Sequence, residues 1–304
     1  MAVRRVFATF AFLLVFSPTP VVWADDAPSR GLDRQRVAWG ELRYTAHKLG
    51  IAATIEVRLD DTSAVLPDTN VARRQGTASA PAEDGEILLQ STSHLPGRTF
   101  LARERVDPLL ARAREIVDTE TGAKNHRKTY ILRDRGFLLE LLEPADGSEA
   151  LLAPERWTRR TRSFASYPKV LPTDAVITGP AGLLYAASAA GLNSPGDSLT
   201  IFVLVQTKVE LVTVRVEGAE NVEADFQESS GGVLRSVREQ LSAVRLVARS
   251  QPVDPTSSSV FRMFGLEGDI EILWDPARRL PVEMTGHVKV LGHVEVRLTS
   301  ATLR

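Results

Sequence analysis

The sequence predicts an all-β protein, mainly strands with one short internal helix. Two observations carry this. Apolar and polar residues alternate through most of the chain between Arg36 and Arg304, with short turns between the runs. Only GPAGLLYAASAAGL, Gly179 to Leu192, reads clearly as a helix.

The elements follow in order. RVAWGELRYTAHKLGIAATIEVRL, Arg36 to Leu59, alternates in two halves around Leu49-Gly50, the pattern of a hairpin with glycine at a positive-φ position. Asp60 to Gly85 loses all periodicity and fills with Pro, Ser, Thr, Ala and charge, which predicts a long flexible loop. EILLQSTS, RTFLARERV, LLARAREIVDTETG and RKTYILRDRGFLLELLEP follow as strands, with KNHRK at the tip of a hairpin. ARAREIVD fits a period of two about as well as a helical one, and its β neighbours decide for strand. In the helix, Pro180 suits the first position and Gly191 the C-terminal cap. Its Leu, Tyr and Ala residues surround the axis, so it belongs buried against the sheet. NSPGD turns the chain into two long strands within SLTIFVLVQTKVELVTVRVEGAENVEA. VRLVARS, MFGLEGDIEILWDP, LPVEMTGHVKV and HVEVRLTSATL then complete an antiparallel meander.

The first 24 residues read as a cleaved secretory leader. Arg4 and Arg5 precede the apolar run Val6 to Phe16, and Val22 and Ala24 provide small residues for a cut after Ala24. That run is well short of the ~20 residues needed to span a bilayer. The expected product is exported and periplasmic, a single β-rich domain over 25–304, structured from residue 36 onward. The chain has no cysteine, which excludes disulfides, a lipidated N-terminus and thiolate chemistry. Loss of Arg4 and Arg5 moves the formal charge from −1 to −3, and so near a balance argues against a nucleic-acid partner.

Three clusters are candidates for chemistry. His287 and His293 lie six apart. A two-residue turn at Leu291-Gly292 would put them on opposite faces and a three-residue loop on one face, and in either case a third metal ligand is missing. Glu267, Asp269 and Glu271 alternate along one strand, opposite Leu266, Ile270, Ile272 and Trp274, and read as a solvated outer face rather than an acid pair or a calcium site. Arg156, Arg159, Arg160, Arg162 and Lys169 interleave with Trp157, Phe164 and Tyr167. They suit either a phosphate-rich lipid surface or, the simpler reading, an edge strand guarded by charge with aromatics packed beneath it. No GxSxG, HExxH, P-loop or GxGxxG motif occurs, so no catalytic residue, metal or cofactor is expected.

The order of the helix GPAGLLYAASAAGL, the strand pair SLTIFVLVQTKVELVTVRVEGAENV, the strand GDIEILWDPARRLPVEMTG and the hairpin HVKVLGHVEVRL resembles the bacterial exported proteins grouped as domain of unknown function number 3108 (DUF3108). WGELRYTAHKLGIAATIEVRL is similar to that family's opening hairpin. The resemblance spans residues 36 to 304, with Asp60 to Gly85 and Val253 to Ser259 as insertions and Gly-Pro where the family's helix opens with Asp-Pro. It implies a curved antiparallel sheet, a partly open barrel wrapped round a helix, in the periplasm and without catalytic residues. The expected function is non-enzymatic binding of an apolar or amphiphilic envelope component, such as a lipid, in the concave face. Leu183, Leu184, Tyr185 and Phe202 are the candidate contacts, the first three facing Ile201 to Val205. The alternative is an envelope assembly factor that binds a protein partner through a sheet edge.

Overall fold

The computed structural model describes residues 32–61, 85–256, 260–289 and 291–304. The expected leader, Met1 to Ala24, lies outside them, as does the Asp60–Gly85 tract apart from Asp60, Asp61 and Gly85.

Alternation becomes one large sheet, in agreement with the all-β expectation. β1 (Trp39–Lys48) turns into β2 (Ile51–Asp60) through Leu49 (φ 51°) and Gly50 (φ 76°). Both residues are left-handed, which gives the primed turn that matches strand twist. β3 (Ile87–Leu95), β4 (Arg98–Asp107), β5 (Arg112–Gly122), β6 (His126–Arg133), β7 (Gly136–Glu143) and β8 (Arg159–Ser166) each pair antiparallel with the strand before. A two-residue β9 (Ile177–Thr178) leads into α1 (Pro180–Ala190). Then come β10 (Ser198–Val205), β11 (Lys208–Ser230), β12 (Val233–Pro252), β13 (Arg262–Met263), β14 (Leu266–Asp275), β15 (Leu280–Val288) and β16 (Gly292–Leu303).

The sheet runs from β8 down to β1, crosses to β16, and returns through β15, β14, β12, β11 and β10 to β9. The β1–β16 pairing joins the two halves of the chain, with Trp39 opposite Leu303. The second half is not the pure antiparallel meander expected. β9 pairs parallel with β10, and Gln227–Ser229 of β11 pair parallel with Ser300–Thr302 of β16. The cause of the second pairing lies in the length of β11: a register shift between Val216 and Gly218 bends the strand, as a bulge does, and the distal hairpin reaches the free edge of β16. β11, β12, β14, β15 and β16 thereby form a closed ring of ladders.

A second closure is made by packing, where β9 lies against β5. The space so enclosed is filled by α1, whose Leu183, Leu184 and Tyr185 are at most 1% exposed and join one core with Tyr44, Val57, Leu89 and Val203. A helix apolar on all sides is stable only in such surroundings, and each fully buried leucine contributes about 1.5–3 kcal/mol.

β6, β7 and β8 continue past β5 as a flap. Its inner face carries Tyr130 and Phe137, stacked edge to face at 5.7 Å, with Tyr167 beyond at 6.1 Å. On its outer face Val117, Thr129 and Leu142 are buried, outside the main core. The segment from Pro144 to Thr158 covers them: its Trp157 is buried and its Glu155 pairs with the outward Arg127 at 3.4 Å. Of the aromatics expected beneath the basic edge strand, Trp157 is buried and Tyr167 half-buried, but Phe164 is 58% exposed.

Candidate functional site

The interior helix has two ends with different surroundings. At the first, Gly179 is the N-cap residue and has no side chain to accept the free N–H groups. Glu104 of β4 supplies the acceptor: its Oε1 accepts from Ala181 N at 2.8 Å and its Oε2 from Gly182 N at 2.9 Å. The fit leaves no room for a methyl group. A Cβ on Gly179 would lie 2.4 Å from the Glu104 carboxyl, and one on Gly182 would lie 1.9 Å from Thr178 Oγ1. Glu104 is fully buried, and burial pushes its carboxyl up to about 7 against the lowering effect of the two N–H donors. Asp118 also raises it, from the neighbouring position on the inner face of β5. Asp118 is itself raised to about 6 by burial, offset in part by Lys128 directly across on β6. The buried hydroxyls of Tyr130 and Thr178 have no hydrogen-bond partner among the described residues.

At the other end Gly191 takes the left-handed conformation (φ 67°) that closes a helix. Arg36 Nη1 donates to the carbonyl of Ala190 at 3.3 Å, so a cation meets the negative end of the helix. Beside it opens a cavity of about 370 Å³, lined by Arg36, Ser188, Gly191, Asn193, Trp274, Pro276 and Arg279. Arg36, Asn193 and Arg279 are exposed, so the cavity reaches solvent, whereas Ser188 and Trp274 are buried at its base. Ser188 is held by Trp39 Nε1 at 3.2 Å and by the Leu184 carbonyl at 2.8 Å. Arg279 Nη1 donates to the Gln35 carbonyl at 3.2 Å. Arg36 also pairs with Asp33 through Nε at 3.4 Å. Each guanidinium carries five N–H donors in a fork suited to carboxylate or phosphate, and these contacts leave some unused on both. The arrangement offers two cations, an indole and the polar side chains of Ser188 and Asn193.

None of the four expected contacts lines this cavity. Leu183, Leu184 and Tyr185 are core residues, and Tyr185 donates its hydroxyl to the Pro108 carbonyl at 2.9 Å. Phe202 is half-buried and packs against the core. Of the two turn lengths open for the histidine hairpin, the longer one is found. The loop is three residues, 289–291, so His287 and His293 are direct cross-strand partners on one face. The geometry follows from Gly292 (φ 72°), which starts β16 instead of ending the turn. Both histidines are exposed, and among the described residues no group of three metal-ligating side chains is assembled. Asp269 faces solvent beside Arg249 at 3.2 Å, and Glu267 meets Arg262 at 2.8 Å, as a solvated outer face requires.

Sequence reasoning missed Glu104, Arg36 and Arg279. The one signal was the helix start itself: Gly-Pro offers no capping side chain, so a buried helix beginning there needs an acceptor from elsewhere. Comparisons with protein-family models, curated proteins and solved structures found no match.

Proposed function

We propose that the chain is a non-enzymatic, exported binding protein that holds a small anionic amphiphile of the cell envelope at the mouth of its β ring. The observation that carries this reading is the cavity at the C-terminal end of α1, about 370 Å³ in volume and lined by Arg36, Arg279 and Trp274. Its size falls within the ~300–1,000 Å³ of small-molecule sites. A carboxylate or phosphate head meets the two guanidiniums, and the first part of an apolar chain rests on the indole. The leader pattern of residues 1–24 and the resemblance of the later strands support the envelope setting. Because α1 fills the concave face, the ligand sits at the helix end and not against Leu183, Leu184, Tyr185 or Phe202.

Calorimetry with a medium-chain fatty acid, the matching alkyl phosphate and the matching alcohol tests this. The two anions are expected to bind and the alcohol to fail, with Arg279→Gln lowering affinity by about tenfold, the equivalent of ~1.4 kcal/mol. Equal binding of the alcohol, or no effect of Arg279→Gln, overturns the reading. A protein partner recovered by native mass spectrometry, with no amphiphile bound, would favour the assembly factor instead.

A further inference from the structure

The inner face of β5 and β6 carries two opposite charges that neither the cavity nor the helix cap uses. Register sets Ser91, Ala102, Asp118, Lys128 and Leu141 side by side in one row across β3 to β7. Asp118 and Lys128 are direct partners in that row, and such partners have Cβ atoms only ~4.5–5.5 Å apart. The Lys128 charge draws the Asp118 carboxyl down, yet the two do not close to ion-pair contact. Neither side chain makes a hydrogen bond among the described residues.

The other charged groups on this face are taken. Glu104 is committed to the start of α1, Glu120 meets Arg98 at 3.7 Å and His126 at 3.9 Å, and Glu143 meets Arg159 at 3.1 Å. Asp118 and Lys128 are half-buried, as are their neighbours Ala102 and Leu141, so the row still meets solvent. Ser91 and Ala102 are too short to cover Asp118 from the β4 side. Tyr130, two residues along β6 from Lys128 and on the same face, is 1% exposed. Its hydroxyl feels the Asp118 charge and has no hydrogen-bond partner among the described residues. A buried hydroxyl left unbonded is costly, and a group that reaches it beside Asp118 removes that cost.

We propose that Asp118 and Lys128 together bind a small zwitterion of the free amino-acid kind, its ammonium group on Asp118 and its carboxylate on Lys128. The Tyr130 hydroxyl accepts a second hydrogen bond from the same ammonium group. A lone amine would satisfy Asp118 and face Lys128 in repulsion, and a lone carboxylate would do the reverse. Only a ligand that carries both charges matches both partners, through charge-assisted hydrogen bonds. The site shares no residue with the cavity at Arg36 and Arg279.

Titration of the full chain with free alanine, ethylamine and propionate, followed by NMR, tests the proposal. Alanine is expected to bind, and each singly charged analogue to bind at least about tenfold more weakly, since each lacks one charge-assisted contact. Asp118→Asn and Lys128→Met should each weaken alanine binding by a similar factor. Neither side chain holds another element in place, so both variants should keep the wild-type melting temperature. Tyr130→Phe removes only the unbonded hydroxyl and should weaken alanine binding with the fold intact, which keeps the test open if either charge variant fails to fold. Arg279→Gln should bind alanine like wild type, which separates this site from the cavity. No binding of alanine, equal binding of either analogue, or full alanine binding by a folded Asp118→Asn protein overturns the proposal.

Discussion

At its N-terminal end α1 meets one carboxylate in a dry interior; at its C-terminal end it meets the Arg36 guanidinium beside a cavity open to water. Both answer the helix dipole with the charge it requires, negative at the start and positive at the end. They differ in solvation, and so in function. Glu104 is fixed by two hydrogen bonds and by glycines that admit no Cβ, so it anchors the helix to β4. The arginines keep exposed donors, so that end is free to meet something else. A plug fastened at one end and wet at the other combines a rigid core with a site at its rim.

The largest expected effect breaks the fastened end. Glu104→Ala leaves two buried N–H groups without an acceptor, at ~1–3 kcal/mol each, and should cost about 2–6 kcal/mol in urea unfolding. Glu104→Gln keeps an acceptor oxygen for one of them and should lose distinctly less. Equal losses for the two variants would mean that the carboxyl only fills space.

A change of pH probes the same end without mutation. Glu104 is raised to about 7 and Asp118 to about 6, each mainly by burial. In β15, Glu283 is raised to about 7 by burial and then by the charge of Glu295. Unfolded, these carboxyls titrate near ~4, so between about pH 4 and 7 the folded protein holds protons that the unfolded chain has released. Stability is therefore fully present below that window and falls as pH rises through it. The urea midpoint should be lower at about pH 8 than at about pH 5, by no more than a few kcal/mol in stability, and Glu104→Gln should flatten the dependence.

The smallest effect belongs to the wet end. Gly191→Ala places a β-carbon at a left-handed residue and 1.6 Å from Arg36 Nη1, so the guanidinium must move away. The strain should cost about 1–2 kcal/mol, while calorimetry shows a larger proportional loss of anion binding. A stable Gly191→Ala protein with unchanged binding would separate Arg36 from the site.

The contrast also explains what could be read in the sequence. Most strands, the Leu49-Gly50 hairpin and the helix from Pro180 to its Gly191 cap were legible, because burial on one face imposes a period of two and burial all round imposes none. The distal half of the β11–β12 hairpin was not. Between Glu217 and Ala243 most of its residues face water, so little apolar pattern marks it as strand, and the Gly231-Gly232 turn was passed over. Glu104 was hidden in ARERV, where alternation made it one more charge on a strand. The cavity was illegible for a related reason: it unites Arg36, Ser188 and Arg279, which only the closure of the sheet brings together.

The pairing of β1 with β16 has a consequence for how the molecule is made. Trp39 is matched to Leu303, and the same final strand receives Gln227–Ser229 of β11 at Ser300–Thr302. The ring of β11, β12, β14, β15 and β16 can close within the second half of the chain, but the β1–β16 ladder that joins the halves demands loop closure over nearly the whole chain before its contacts reward it. Assembly is slow by topology, and a chain shortened by its last few residues loses the strand on which both halves converge.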